Sequence, residues 1–280
     1  MRAFLATRVW PSAAVFGCVL ALNGAAMALL VARGYAFMVT PQGVGLGVAL
    51  TLALAAACGA VLARTKGLDR DAAGLRVDAR AALELALATA GSFVGAVALI
   101  ATLSATGLGM LRWWKGLSPA AIALTLAASV ANAAFQQLGL QSLGLAARGA
   151  TGSALGPSAV TLGLFVATHA TLSLAPVYLL NVALFGALTL AMFYGPARRS
   201  YAAPVGFHGG WNAALMLLGA LPGSDAIAAV VWHGAPSLWS GGALGVEHGL
   251  ANTLALAAVG VGLALTRGAL RPRRGRSRRG

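Results

Sequence analysis

Three short polar islands interrupt an otherwise apolar chain: Gln136-Gln137-Leu138-Gly139-Leu140-Gln141, Phe165-Val166-Ala167-Thr168-His169, and His208-Gly209-Gly210-Trp211-Asn212. Two imidazoles and a set of amides gathered in a dry cavity can bind a metal, orient a water molecule, or donate hydrogen bonds to a developing oxyanion. An imidazole can also accept a proton near neutral pH, which an amide cannot. Residues four apart share a helix face, so Asn132 with Gln136, Gln137 with Gln141, Phe165 with His169, and His208 with Asn212 are expected as vertical pairs. Polar groups inside membrane-length apolar segments need partners and mark function. The bland alternative is that they hydrogen-bond neighbouring helices as structural glue. Three islands at matched depth favour a shared cavity instead.

The elements that must hold these islands follow from composition. Of 280 residues, 59% are hydrophobic and 9% charged, too few ionisable groups to cover a water-soluble globule; the pattern predicts an all-α integral membrane protein. At about 20 apolar residues per crossing, eight transmembrane helices are expected. They run Pro11 to Val31, Val44 to Ala63, Ala81 to Leu103, Pro119 to Ala146, Pro157 to Leu174, Pro176 to Tyr194, Ala203 to Leu221, and Gly249 to Thr266. The fourth, fifth and seventh carry the islands and would form an active-site-like cavity. With both termini cytoplasmic, all of the 20 Lys and Arg except Arg33, Arg112 and Lys115 fall on the inner side, as the positive-inside rule requires. That distribution accounts for the net charge of +14 without nucleic acid, because the basic residues are not interleaved with aromatics on one face.

Three regions result. Residues 1–118 hold the first three helices with a cytoplasmic linker at 64–80, residues 119–266 form the helical core, and residues 267–280 are a basic cytoplasmic tail that anchors topology beside anionic lipid. The apolar run after Arg8 continues to Val31, which favours an uncleaved first helix over a secretory signal. Between Leu221 and Gly249 the Pro-, Gly- and Trp-containing stretch, with Trp232 and Trp239, suits an outer interfacial loop. Cys18 and Cys58 lie in apolar segments with no disulfide or zinc-ligand spacing. His233 and His248 read as interfacial. Glu84 and Glu247, the chain's only glutamates, sit near helix ends, Glu84 as a snorkelling or paired group. At 1.5 Å per residue from the cytoplasmic ends, Gln136 lies roughly 15 Å deep, His169 roughly 18 Å and His208 about 8 Å. These depths predict a cavity in the inner half, open toward the cytoplasm.

The order, spacing and helix placement of the islands resemble the CAAX protease and bacteriocin-processing family of intramembrane proteases. Its members carry Glu-Glu-x-x-x-Arg on one helix, Phe-x-x-x-His on the next and His-x-x-x-Asn two helices later. Phe165 and His169 match the second motif, His208 and Asn212 the third, and the run Trp239 to Gly249 is similar to the loop before the last helix in bacterial members. The resemblance covers roughly Pro119 to Thr266. It implies a bacterial cell-membrane endopeptidase that acts on membrane-embedded or prenylated peptides, with Gln136, Gln137, Gln141, His169, His208 and Asn212 at the catalytic positions. In the first motif, glutamine replaces both family glutamates and the arginine. Gln136 cannot serve as the general base, and a divalent metal such as zinc at His169 and His208 would lack its charged ligand.

Three functions are therefore expected in competition. One is a peptidase in which one histidine is the base, the other histidine and Asn212 stabilise the oxyanion, and Gln137 positions substrate. Another is a catalytically silent relative that keeps the cavity for binding, as a scaffold, chaperone or immunity protein. A small transporter is the third, although no pair of broken half-helices supports it.

Overall fold

Helices dominate because long apolar runs satisfy their backbone groups internally, and the sequence places a proline or a capping side chain where four of the described ones begin. The computed structural model describes residues 14, 17, 21, 22, 25, 32–62, 74–114, 116–151, 155–195, 199–224, 227–234 and 237–270. The expected first helix lies largely outside the described residues, as do most of the 64–80 linker, Lys115, Arg198, Asp225 and the tail beyond residue 270. In chain order the elements are α1 (Tyr35–Met38), α2 (Pro41–Leu62), α3 (Ala79–Ala105), β1 (Met110–Trp113), α4 (Pro119–Thr151), α5 (Leu155–His169), α6 (Pro176–Tyr194), α7 (Ala202–Leu217), β2 (Val230–His233), two single 3₁₀ turns (Gly242–Leu244 and Val246–His248) and α8 (Leu250–Leu270). Helices α2, α3, α4 and α6 are long and apolar enough to cross a membrane; α5 and α8 are shorter apolar helices.

Starts are set by local chemistry. Asp78 caps α3 by accepting the Ala81 N–H at 2.8 Å, and Arg76 pairs with the same carboxylate at 2.7 Å. These contacts, the Ala81 bond first, hold the Asp78 carboxyl below its ordinary range. Pro119 opens α4 and Pro176 opens α6, where the missing N–H is not needed.

Two expected ends move inward. Helix α5 stops at His169 rather than Leu174: Thr168 and Thr171 donate back to the Phe165 and Thr168 carbonyls, and Ala175, extended before Pro176, cannot continue a helix. Helix α7 stops at Leu217 rather than Leu221. Gly219, at φ 61°, turns the chain, and the Ala220 N–H reaches back to the Leu215 carbonyl at 2.8 Å. Two other ends move outward, since no proline intervenes: α4 continues to Thr151, and α8 runs into the expected tail.

Helix α7 is the axis of the bundle, buried almost throughout and packed against α3, α4 and α6. A helix apolar all round belongs in a core. Its residues join two clusters: Phe207, Trp211, Ala214 and Leu215 pack with α3, α5 and α6, while Val205 packs with Leu54, Ala133, Phe135 and Phe193. Gly206 and Gly210 face α3 so closely that an added Cβ would meet the Leu85 and Thr89 carbonyls. Their four-residue spacing is the small-residue pattern that lets membrane helices touch backbones. Apolar side chains such as Leu52, Leu83, Leu87, Val94, Leu254 and Leu265 point outward and stay exposed, as lipid-facing surfaces require. The stretch between α7 and α8 is no featureless loop. β2 pairs antiparallel with β1, Met110 opposite His233 and Trp113 opposite Val230, and so ties the α3–α4 connection to the segment after α7.

Candidate functional site

The i, i+4 geometry of α7 puts His208 and Asn212 on the face opposite Gly206 and Gly210, so tight packing on α3 aims the polar pair into the bundle. There they meet α4 and α5. A cavity of about 230 Å³ is lined by Asn132 and Gln136 of α4, Phe165 and His169 of α5, and His208 and Asn212 of α7. The three islands thus share one space. Phe165 is the common wall: its ring centroid lies 4.3 Å from that of His169 and 6.1 Å from that of His208. Phe185 of α6 closes the other side, 5.0 Å from His208.

The islands divide by face. Gln137 and Gln141 do not line this cavity; they lie behind His208, against a separate void of about 10 Å³. The Gln141 amide N–H donates to Gln137 Oε1 at 3.3 Å, and the Gln137 amide N–H donates to His208 Nδ1 at 3.1 Å. Gln137, expected from sequence to position substrate, thus lies off the wall of this cavity and contacts His208 instead. Gln136 is turned about 100° away on the helix. It makes no side-chain hydrogen bond among the described residues and does not join the amide ladder.

These bonds assign the two imidazoles opposite roles. An amide N–H can only donate, so His208 Nδ1 accepts and the ring proton sits on Nε2, a donor. For His169 the partner is the Phe165 carbonyl, 2.8 Å from Nδ1. A carbonyl can only accept, so Nδ1 carries the proton and Nε2 keeps its lone pair. One cavity thus presents an imidazole acceptor and an imidazole donor.

The donor set does not fit the divalent metal that the resemblance suggested. Among the described residues, no three His, Cys, Asp or Glu side chains stand together closely enough to hold an ion. His169 and His208 would supply two ligands where a catalytic zinc takes three.

The cavity also lies nearer the other end of the bundle than expected. Its remaining wall comes from Phe37 and Met38 of α1, Leu172 after α5, Leu221 after α7, and Glu247. That end is opposite Arg80, Arg148 and Arg199. The reason is the segment between α7 and α8, which folds back over the bundle, together with the early stop of α5 that leaves His169 at a helix end.

Residues that the islands did not flag complete the site. Asn181, buried within α6, donates to the Glu247 and Gly249 carbonyls at 2.8 and 3.0 Å and accepts from the Thr253 hydroxyl at 2.7 Å. It thereby docks the start of α8 beside the cavity. The signal was available, since Asn181 and Asn252 are lone amides in apolar segments. Glu84, by contrast, pairs with Arg80 at 3.0 Å on an exposed face, and His233 is exposed at the end of β2. No family model, no curated protein and no solved structure matches the chain.

Proposed function

We propose that the chain is an intramembrane peptidase of the CAAX-protease type that works through its two histidines rather than through the glutamates of that family. The observation that carries this reading is the opposed hydrogen-bond polarity of His169 and His208 around one cavity. A water molecule gives its proton to His169 Nε2 as its oxygen adds to the peptide carbonyl carbon. The oxyanion that forms accepts hydrogen bonds from His208 Nε2–H and the Asn212 amide. Collapse breaks the C–N bond, and the proton on His169 passes to the leaving amine. Gln137 holds His208 in the donating tautomer, and Gln141 holds Gln137.

The proposed arrangement is a bacterial cell-membrane protein of eight spans with both termini cytoplasmic, which places the basic ends of α4 and α6 inside. The cavity then faces the outer half of the bilayer, and the substrate is a membrane-associated peptide reached from that side.

The test is product release from a peptide panel, prenylated peptides included, by the full-length protein in lipid nanodiscs. Wild type should cleave, His169→Ala should lose cleavage, and His208→Ala should lose about 10²-fold or more, as removal of an oxyanion donor does. No product across the panel would sink the reading.

The amide chain behind His208 favours a second reading, a silent relative that binds without cleaving, because an amide brings no charge to stabilise an imidazolium. Under it, the combined change Gln136→Glu, Gln137→Glu and Gln141→Arg creates turnover that wild type lacks. Equal turnover by wild type and the triple variant rules that reading out.

A further inference from the structure

The cavity wall at the turn before α8 offers acceptors without a charged donor beside them. Glu247 lines it, and no Lys or Arg does among the described residues. Among the described residues, the Glu247 side chain makes no hydrogen bond or ion pair. Asn252, 3% exposed and on the same wall, has its Oδ1 buried without a partner. Apolar residues of α1, α2, α5 and α6 make up much of the rest. An unpaired carboxylate and an orphaned amide oxygen in an apolar recess are each unfavourable by themselves. The carboxylate that lines the cavity is satisfied by one kind of ligand, a cation that carries N–H donors.

We propose that Glu247, on the wall it shares with Asn252, forms a cation subsite that takes the basic side chain of a peptide whose neighbouring carbonyl lies at His208. Asn181 anchors the Glu247 backbone, and one helical turn along α6, about 6 Å, separates it from Phe185, whose ring packs on His208. That span suits a Lys or Arg side chain beside the bond. Burial pushes the Glu247 carboxyl up to about 7, as a carboxylate waiting for its counter-ion would show. The groups around it are His169 from α5, His208 from α7, the adjacent His248 stacked on Tyr178 of α6, and Arg33, whose guanidinium sits over Phe37 at 5.7 Å. The peptide class rests on the proposed peptidase reading; the cation preference does not need cleavage.

The measurement is equilibrium binding of two short apolar peptides, acetylated, amidated and fluorescently labelled, that differ only in a central Arg or its neutral isostere citrulline. The full chain is held in zwitterionic nanodiscs at pH 8, as wild type and in a His169→Ala background that excludes turnover. The Arg peptide should bind at least tenfold more tightly in both. That ratio should fall toward one in Glu247→Gln, persist in Glu84→Gln, and decline in wild type at pH 5, where Glu247 is protonated. Equal binding of the two peptides, no binding of either, or a ratio preserved in a Glu247→Gln variant that melts like wild type would overturn the subsite. An Arg preference without any cleavage would keep the subsite while removing the peptidase reading.

Discussion

At the scale of single residues, the substitution of amides for charges has a directional consequence. A carboxylate at position 137 would accept from His208 Nδ1 and leave Nε2 as an acceptor; Gln137 donates and leaves Nε2 as a donor. In the proposed mechanism the base role passes to His169, whose Nδ1 lies 2.8 Å from the Phe165 carbonyl of its own helix. Gln137→Met should therefore release the His208 tautomer and lower turnover on the order of 10²-fold while KM changes little, the scale seen when an orienting partner is lost. Kinetics on the panel substrate check this, and unchanged kcat would show that Gln137 only packs. The Glu247 carboxyl makes a second residue-scale prediction about stability. Its folded pKa of about 7 lies above the ordinary 4.5, so the folded state binds the extra proton. Its favourable contribution is complete below pH 4.5 and is lost as pH rises through 7. Glu247→Gln should then match wild type at pH 4.5 and melt higher at pH 8. The shift corresponds to at most about 3 kcal/mol at 1.36 kcal/mol per unit, reduced where water in the cavity screens the charge. Detergent melts at the two pH values decide it.

At the scale of elements, α7 does two jobs on two faces. Gly206 and Gly210 bring its backbone against α3, and His208 and Asn212 occupy the face that remains. An added methyl at Gly210 meets the Thr89 carbonyl, which is backbone and cannot swing aside. Gly210→Ala should destabilise by about 1–3 kcal/mol, the usual range for overpacking, and should weaken peptide binding because His208 rides on the same helix. Gly219 ends that helix in the left-handed region, and its missing Cβ faces the Val230 carbonyl at 2.9 Å. Gly219→Ala should add a backbone penalty of about 1–2 kcal/mol and loosen the β1–β2 pair, which hydrogen exchange at Trp232 would register. A melting temperature unchanged by either substitution would contradict the close approach.

For the whole molecule, the cavity end and the basic end are opposite, and this makes orientation testable. Leu172→Cys and Leu221→Cys, placed in a Cys18→Ser, Cys58→Ser background, should react with a membrane-impermeant maleimide added outside intact cells. Arg199→Cys should react only after lysis. The reverse pattern would invert the proposed topology and place the cavity toward the cytoplasm.

Much of this was legible in the chain. Long apolar runs bounded by prolines and charges name the helices, because a helix in an apolar medium needs only its own backbone and its ends. The islands could be read for the same reason, since i, i+4 pairs on α4, α5 and α7 are local geometry. Their partition was not. Whether Gln136 or Gln137 faces the cavity depends on how α4 is rotated against α7, which packing at Gly206 and Gly210 fixes from a third helix. Position along the bundle was not legible either, because the cavity wall is completed by Leu172, Leu221 and Glu247, which lie beyond the ends of α5 and α7. Glu247 is near its neighbours in sequence but far from the islands. Only the return of the α7–α8 segment, held by Asn181 and by β1–β2 pairing, brings its carboxylate to the cavity. The sequence by itself determined a helical bundle of membrane-length apolar helices and the residues able to do chemistry in it. The tertiary structure alone decided which imidazole accepts, which donates, and which acid faces them, because those depend on contacts between segments tens of residues apart.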